Sequence, residues 1–190
     1  LNRELVHDIY KWKEEDKEGV NRSNRHGWHS TIIMHLREEF DKITNAINDA
    51  QQAIAKEEGY DPDWPLIVES MWANVSPKHA YNMFHTHPNA LWSGVYYVQT
   101  TKDKSDQIHF NDPREQNKVL IPQPSKQTKL NTTGAVCKAR PGVAYLFPSW
   151  LRHEVPVNTS NDERISVAFN AMFKDFSKMT PPGFSSSKLD

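Results

Sequence analysis

The chain has 190 residues, of which 37% are hydrophobic and 25% charged, so it is long enough and apolar enough to fold around a core. Its formal net charge of −1 gives no overall attraction for nucleic acid or for an anionic membrane surface. The only cysteine, Cys137, excludes an intrachain disulfide, and no apolar run reaches membrane-spanning length. We therefore expect a single cytoplasmic domain, with no membrane contact and no indication of nucleic-acid binding.

The first third of the chain is predicted to be helical. In residues 1–18 apolar side chains recur every three or four positions, which predicts an amphipathic helix. A longer apolar stripe runs from Leu36 to Ile54, and Gly59 is a suitable end for that second helix. We expect residues 1–60 to form an N-terminal helical segment.

After Pro65 the pattern changes to the alternation that is typical of strands. Turn clusters separate these short runs, which lie at 66–75, 81–87, 92–99, 107–111, 117–121, 134–138, 142–147 and 164–173. Helices followed by many short strands predict a mainly β fold, a sandwich or barrel with the N-terminal helices packed outside. We expect a β core over residues 66–176 and a loosely ordered tail over residues 177–190 of the same domain.

Two histidines, His85 and His87, stand one residue apart in a strand-like run. Strand side chains alternate between faces, so both imidazoles point to the same side and can bind one metal ion. His153, which follows another strand-turn pattern, is a candidate third ligand for a first-row transition metal. Three protein ligands leave coordination positions open, which is typical of a catalytic site. The alternative is that the pair lies on an edge strand and His153 is a hydrogen-bonded loop residue.

Two other histidines and one arginine are further candidates for roles in a site. His29 and His35 have no partner at metal-ligand spacing, so we expect structural or surface positions for both. Arg164 begins an alternating strand and can hold a carboxylate by two parallel hydrogen bonds. If its face of the strand looks into a cavity, Arg164 would anchor an organic acid near the metal. Otherwise it forms a surface ion pair with a neighbouring acidic residue.

Taken together, these motifs resemble the iron(II)- and 2-oxoglutarate-dependent oxygenase superfamily, and within it a group found in bacteria and their phages. The resemblance covers roughly residues 21–175. It rests on Asn24-Arg25-His26-Gly27-Trp28-His29-Ser30, His85-Thr86-His87-Pro88, Ser93-Gly94-Val95-Tyr96-Tyr97, Phe110-Asn111-Asp112-Pro113-Arg114, and Leu146-Phe147-Pro148-Ser149-Trp150 through His153 to Arg164. It implies a double-stranded β-helix (jelly-roll, cupin-like) that uses Fe(II), 2-oxoglutarate and O2 to hydroxylate an unidentified substrate in a bacterial or phage-infected cell.

The resemblance also implies roles for individual residues. His85 and His153 match iron ligands, and Arg164 matches the basic residue that binds the far carboxylate of 2-oxoglutarate. The strand after His85, aligned with that of prolyl hydroxylases, places Ser93 and Tyr97 at positions that contact the cosubstrate.

One position departs from the superfamily pattern. The usual first motif is His-x-Asp or His-x-Glu, whereas this chain has His87 at the carboxylate position. Either three histidines hold the iron, or a carboxylate from elsewhere completes the site, for which Asp112 is the candidate. Metal-dependent cupins often have His-x-His, so a cupin-type enzyme that does not use 2-oxoglutarate is a second hypothesis. A non-catalytic β-helix that binds a ligand or partner is a third, and the edge strands of such a fold allow a homodimer.

Overall fold

A computed structural model describes residues 1–101, 105–120, 123–128 and 131–176 of the chain. The helices of this part are α1 (Asn2–Glu15) and α2 (Asp41–Glu57), with 3-10 turns at Met34–Leu36, Glu38–Phe40 and Glu115–Lys118. Its strands are β1 (Asn24–Arg25), β2 (Trp28–His29), β3 (Leu66–Ser76), β4 (Tyr81–His85), β5 (Trp92–Gln99), β6 (Gln107–Asn111), β7 (Gly134–Lys138), β8 (Ala144–Pro148), β9 (His153–Val155) and β10 (Arg164–Phe173).

The described strands form two antiparallel sheets of five strands each. The first, which we call the helix-side sheet, has the order β2-β3-β10-β5-β8, and the second, the outer sheet, has the order β1-β4-β9-β6-β7. Strands β3 and β10 pair along almost their whole length, with a single irregularity at Asn170 and Ala171. Most neighbouring strands in both sheets are not consecutive in the chain, which is the arrangement of a jelly roll.

The helix-side sheet has two chemically different faces because its central strands alternate. On β3 the residues Met71, Ala73 and Val75 are buried in the core formed with α1 and α2. The other face of the same sheet looks into a cavity between the sheets. Its lining residues from β3 and β10 are Ser70, Trp72, Asn74, Ser76, Arg164, Ser166, Ala168 and Asn170. The helices therefore cover one face of the sheet, and the other face lines the cavity with mainly polar residues.

Close packing on the helix side of the sheet requires a glycine at position 94. A Cβ atom on Gly94, in β5, would lie 2.2 Å from Cζ of Phe169, and atoms of that ring cannot move without disturbing the core. Between the sheets a second apolar cluster closes one end of the cavity, formed by Val95, Tyr97, Ile108, Ala139 and Phe147. The cavity is thus bounded by packed residues rather than by loops alone.

The predicted fold class, mainly β with helices packed outside, is confirmed. The second helix begins at Asp41 rather than near Leu36, which is 71% exposed, because the intervening residues form two 3-10 turns. The strand predicted at 117–121 is wrong in its described part, where residues 115–118 form a 3-10 turn. The predicted tail, 177–190, lies outside the described residues. In the part of the chain that the structure describes, no helix has the length and apolar character needed to span a membrane.

Candidate active site

Three histidines converge on one wall of the cavity. Strand β4 pairs with β9 so that His85 lies directly opposite His153, and His87 follows in the loop after β4. One ring nitrogen of each histidine lies within 4.8 Å of the others. The Nε2 atoms of His87 and His153 are 3.2 Å apart, and their rings are stacked with an interplanar angle of 3°. The structure therefore brings together the three residues that the sequence singled out.

Backbone carbonyls orient two of these rings. Nδ1 of His85 lies 2.7 Å from the carbonyl oxygen of Met83, and Nδ1 of His153 lies 2.8 Å from that of Leu151. A carbonyl only accepts, so each Nδ1 carries the proton and each Nε2 presents its lone pair. Metal–imidazole distances are about 2.1 Å, so two nitrogens bound at a right angle to one ion lie about 3.0 Å apart. The observed separation fits a shared ion.

The environment keeps the three imidazoles in the form that binds metal. Burial, together with charge repulsion from the neighbouring His85 and His153, lowers the pKa of His87 to about 3. Burial also lowers the pKa of His153 to about 4 and lowers that of His85. Metal binding requires neutral imidazole, so no proton has to be displaced at neutral pH.

No carboxylate joins this group among the described residues. The carboxylate of Asp112 instead accepts hydrogen bonds from Arg114, whose Nε lies 3.0 Å from Oδ1. Asp112 is not among the described residues that line the cavity. The donor set on the cavity wall is therefore three neutral nitrogens.

The cavity has a volume of about 500 Å³ and extends from the histidines to a buried arginine. Arg164 is 2% exposed, and its Nη1 lies 3.2 Å from the carbonyl oxygen of Ser105 and 3.6 Å from Oδ1 of Asp106. Its Nη2 lies 3.5 Å from the carbonyl oxygen of Pro156. These contacts involve Nη1 and Nη2, whereas Nε donates no hydrogen bond to a described residue, so the edge that includes Nε can bind a ligand. That edge has the spacing of a carboxylate.

Tyr97 lies beside Arg164 with an unsatisfied hydroxyl. The residue is 1% exposed, and among the described residues its Oη has no hydrogen-bond partner. Burial raises the pKa of Tyr97, so the hydroxyl stays a donor at any physiological pH. A buried hydroxyl without a partner destabilises a protein by about 1–3 kcal/mol. A carboxylate held by Arg164 is the kind of group that would satisfy it.

Ser93, the other predicted cosubstrate contact, is placed differently. It is buried, and its hydroxyl donates to Oδ1 of Asn170 over 2.8 Å, while Nδ2 of Asn170 donates to Ser70 over 3.1 Å. Asn170 and Ser70 line the cavity, whereas Ser93 is behind them. Its predicted contact with the cosubstrate stays a prediction.

His29, expected to be structural, lines the cavity. Its ring stacks on Trp72 with centroids 5.4 Å apart, and Trp72 stacks on His87 with centroids 5.7 Å apart. Nδ1 of His29 donates to the carbonyl oxygen of Ser30. The residue is on the two-residue strand β2, which pairs with β3. So short a strand has no periodicity, and the motif around Trp28 was the only sequence signal for this position.

Comparisons with known proteins provide separate evidence on the family and the fold. A family model described as "Putative 2OG-Fe(II) oxygenase" matches residues 70–170. A search of curated proteins found no match. Among solved structures, a prolyl-4-hydroxylase from Pseudomonas putida has 16% identity and a TM-score of 0.60, and the match covers 91% of this chain and 85% of that one.

Two further structures have the same fold. HygX from Streptomyces hygroscopicus, solved with nickel and 2-oxoglutarate bound, has 13% identity and a TM-score of 0.57, with 90% of this chain and 79% of that chain covered. The non-heme alpha ketoglutarate dependent epimerase SnoN from nogalamycin biosynthesis has 10% identity and a TM-score of 0.64, with coverages of 90% and 73%. At these identities the likeness establishes the double-stranded β-helix fold.

The family match extends over more than half of the chain and includes the histidine, tyrosine and arginine positions described above. It confirms the resemblance in the motifs, with Fe(II) and 2-oxoglutarate as the cofactors, and it does not favour the cupin-type or the non-catalytic alternative. The protein thus belongs to the 2OG-Fe(II) oxygenase family and is an Fe(II)- and 2-oxoglutarate-dependent oxygenase.

Proposed function

We propose that His85, His87 and His153 hold the iron, that Arg164 and Tyr97 bind the far carboxylate of 2-oxoglutarate, and that the enzyme hydroxylates a substrate entering the cavity. One observation carries the proposal. Three neutral imidazoles and a buried guanidinium beside an unsatisfied hydroxyl line the same cavity. Such a pairing suits a ligand that chelates a metal at one end and presents a carboxylate at the other.

The protein residues prepare the site before either cofactor arrives. When bound, the iron supplies oxygen activation at the expense of the 2-oxo acid. Hydrogen bonds to Met83 and Leu151 fix the rings of His85 and His153, so the ligand set is preorganised. The edge of Phe147 packs against His153 with ring centroids 4.6 Å apart and helps to exclude water from that side.

In the proposed cosubstrate pocket, Asp106 holds the guanidinium of Arg164 from outside the cavity lining. Asp106, whose Oδ2 accepts the backbone N–H and the hydroxyl of Thr101, places its other oxygen near Nη1 of Arg164. The fork of Arg164 is thereby fixed before the ligand binds, which reduces the entropy lost on binding. We keep a role for Ser93 as well, from behind the cavity wall, where its hydroxyl would orient the side chain of Asn170.

The identity of the third ligand is tested by iron stoichiometry. We expect His87→Ala to lose most of its tightly bound Fe(II) and Asp112→Asn to retain it, because Asp112 is already bonded to Arg114. Iron per chain is measured after anaerobic loading and gel filtration of both variants. Retained iron in His87→Ala, with loss in Asp112→Asn, would assign the carboxylate instead.

The cosubstrate anchor is tested by Arg164→Ala and Arg164→Lys. Loss of a buried, charge-assisted hydrogen-bonded pair predicts at least about a tenfold weaker affinity for 2-oxoglutarate. Lysine keeps the charge without the fork, so its effect should be intermediate. Iron content should stay nearly unchanged in both, and Arg140→Ala, on an exposed residue outside the cavity, is the matched control. Loss of iron with 2-oxoglutarate affinity intact would defeat the assignment.

We also infer a cytoplasmic location and allow a homodimer. Cys137 is a free, half-buried thiol, and a reduced thiol and ferrous iron both suit a reducing compartment. Strands β7 and β8 are the outermost strands of their sheets, and such edges can pair between copies. Cell fractionation tests the location, and sedimentation of the purified chain tests the oligomeric state.

A further inference from the structure

We propose that the substrate of this oxygenase carries an anionic group, a carboxylate or a phosphate, which Arg22 binds at the mouth of the cavity. The proposal rests on the proposed function and names the substrate class for the same site. It follows from where Arg22 is fixed, from the signs of the charges that line the cavity, and from the replacement of the usual carboxylate ligand by a histidine.

Arg22 is held next to the histidine group by backbone pairing. Strand β1 pairs with β4, and the backbone N–H of Met83 donates to the carbonyl oxygen of Ser23 over 3.0 Å. The hydroxyl of Ser23 lies 3.3 Å from Nε2 of His85, the nitrogen that would bind metal. Arg22 precedes Ser23, lines the cavity and is exposed to solvent. A lining residue that is exposed lies where the cavity opens to solvent, so Arg22 is at the mouth of the cavity, one residue from the serine that contacts His85.

The charged residues that line the described cavity are all basic. Arg22 and Arg164 are among them, and no aspartate or glutamate is. Arg164 is paired with Asp106 behind the cavity wall. Arg22 forms no ion pair with any residue that the structure describes, and its positive charge contributes to lowering the pKa of His29 on the neighbouring strand. One cation therefore faces the substrate without a carboxylate partner.

Because position 87 is a histidine and not a carboxylate, the positive charge of Arg22 is left unbalanced. With three neutral ligands, the charge of Fe(II) is balanced by the dianionic 2-oxoglutarate, and Arg164 is balanced by Asp106. The positive charge of Arg22 then has no counterpart among the described residues that line the cavity. A carboxylate ligand at position 87 would have supplied one. An anionic substrate group completes the balance, whereas a cationic substrate would be repelled.

The other residues that line the cavity indicate what the rest of the substrate resembles. The cavity lining includes Trp72, whose ring stacks with those of His29 and His87, and Ile32, which is 46% exposed. A small aromatic or apolar body with an anion at one end would contact this lining while the anion reaches Arg22. Small aromatic anions are therefore suitable probes of the site.

The test is a calorimetric titration of oxygen-free, Fe(II)-loaded protein that is saturated with 2-oxoglutarate. The probes are phenylacetate, phenyl phosphate, the neutral phenylacetamide and the cationic phenethylamine. We expect the preferred anion to bind about tenfold more tightly than the amide, and the amine most weakly. In Arg22→Gln that advantage should disappear, whereas it should persist in Arg3→Gln, an exposed site on α1 outside the cavity. The anion that binds more tightly, phenylacetate or phenyl phosphate, distinguishes a carboxylate substrate from a phosphate substrate.

Two results would overturn the proposal: no anion preference in the unaltered protein, including no binding at all, or a preference that Arg22→Gln leaves intact. The visible charge-transfer band of iron-bound 2-oxoglutarate is recorded in the same samples. Its persistence shows that the probe has not displaced 2-oxoglutarate from Arg164. A normal band without anion preference refutes only the substrate class, whereas a missing band in the unaltered protein refutes the proposed function itself.

Discussion

Replacing Tyr97 by phenylalanine should change stability and cosubstrate binding in opposite directions. The hydroxyl is buried, and it has no hydrogen-bond partner among the described residues. Leaving such a group unpaired is unfavourable by about 1–3 kcal/mol, and phenylalanine removes it without changing the ring that packs on Val95 and Phe147. The metal-free variant should therefore be as stable as the unaltered protein, or more stable by up to about 1 kcal/mol.

The same substitution removes the proposed donor to the far carboxylate of 2-oxoglutarate. A hydrogen bond to a charged group contributes about 1.5–3 kcal/mol, which corresponds to a loss of about 10- to 100-fold in affinity. Urea unfolding of the metal-free protein measures the stability, and an anaerobic titration of the Fe(II)-loaded protein measures the affinity. Opposite signs are informative because a general loss of folding would lower both quantities.

The neighbouring residue supplies a matched control. Tyr96 lies on the other face of β5, and its hydroxyl donates to Oδ1 of Asn2 at the start of α1 over 2.5 Å. Tyr96→Phe should lower the free energy of unfolding by about 1 kcal/mol and leave 2-oxoglutarate affinity unchanged. If Tyr97→Phe were destabilised like the control and bound 2-oxoglutarate normally, the placement of the cosubstrate next to Tyr97 would be refuted.

Two further predictions concern the scaffold and its pH dependence. Gly94→Ala should lower the free energy of unfolding by about 1–3 kcal/mol or more, because its Cβ would overlap the ring of Phe169. Gly59→Ala, where a Cβ would meet nothing within 4 Å, should show only the strain of its positive φ. Thermal unfolding compares the two variants, and equal effects would contradict the packing at Gly94. The pKa values of His87 and His153 are lowered to about 3 and about 4, so below pH 6.5 the unfolded chain binds protons that the folded chain does not. The free energy of unfolding of the metal-free protein should therefore fall as the pH drops from 6.5 towards 4, by up to about 1.4 kcal/mol per pH unit for each histidine. Urea unfolding at a series of pH values measures this free energy. A value that does not change over that range would show that the two rings are not held in the neutral form by burial.

The parts of the site that lie on long strands could be predicted from the sequence. Alternation over β10 places Arg164 and Asn170 on one face, and the structure has both lining the cavity. His85 and His87 were recognisable from their spacing of two, although His87 follows β4 in a loop, and His153 was recognisable from the strand-turn pattern before it. The order of helices and strands likewise predicted the layers of the fold.

What the sequence did not reveal depends on contacts between distant segments. His29 lies on the two-residue strand β2, which pairs with β3, and Arg22 lies just before the two-residue strand β1, which pairs with β4. Such short strands have no periodic pattern. The pairing of Arg164 with Asp106 joins β10 to the loop before β6, which no local spacing encodes. The run at 117–121 looked like a strand because its residues include Val119 and Leu120, but these are 86% and 84% exposed and lack a sheet partner among the described residues.

The account is tested most directly by an anaerobic titration of the unaltered protein, first with Fe(II) and then with 2-oxoglutarate, followed by the weak visible charge-transfer band. Three neutral histidines and a buried arginine in one cavity predict one tightly bound iron per chain and a band that saturates with 2-oxoglutarate. Iron that binds without producing a band would show that Arg164 does not anchor the cosubstrate. Failure to bind iron at all would show that the three histidines do not form the metal site.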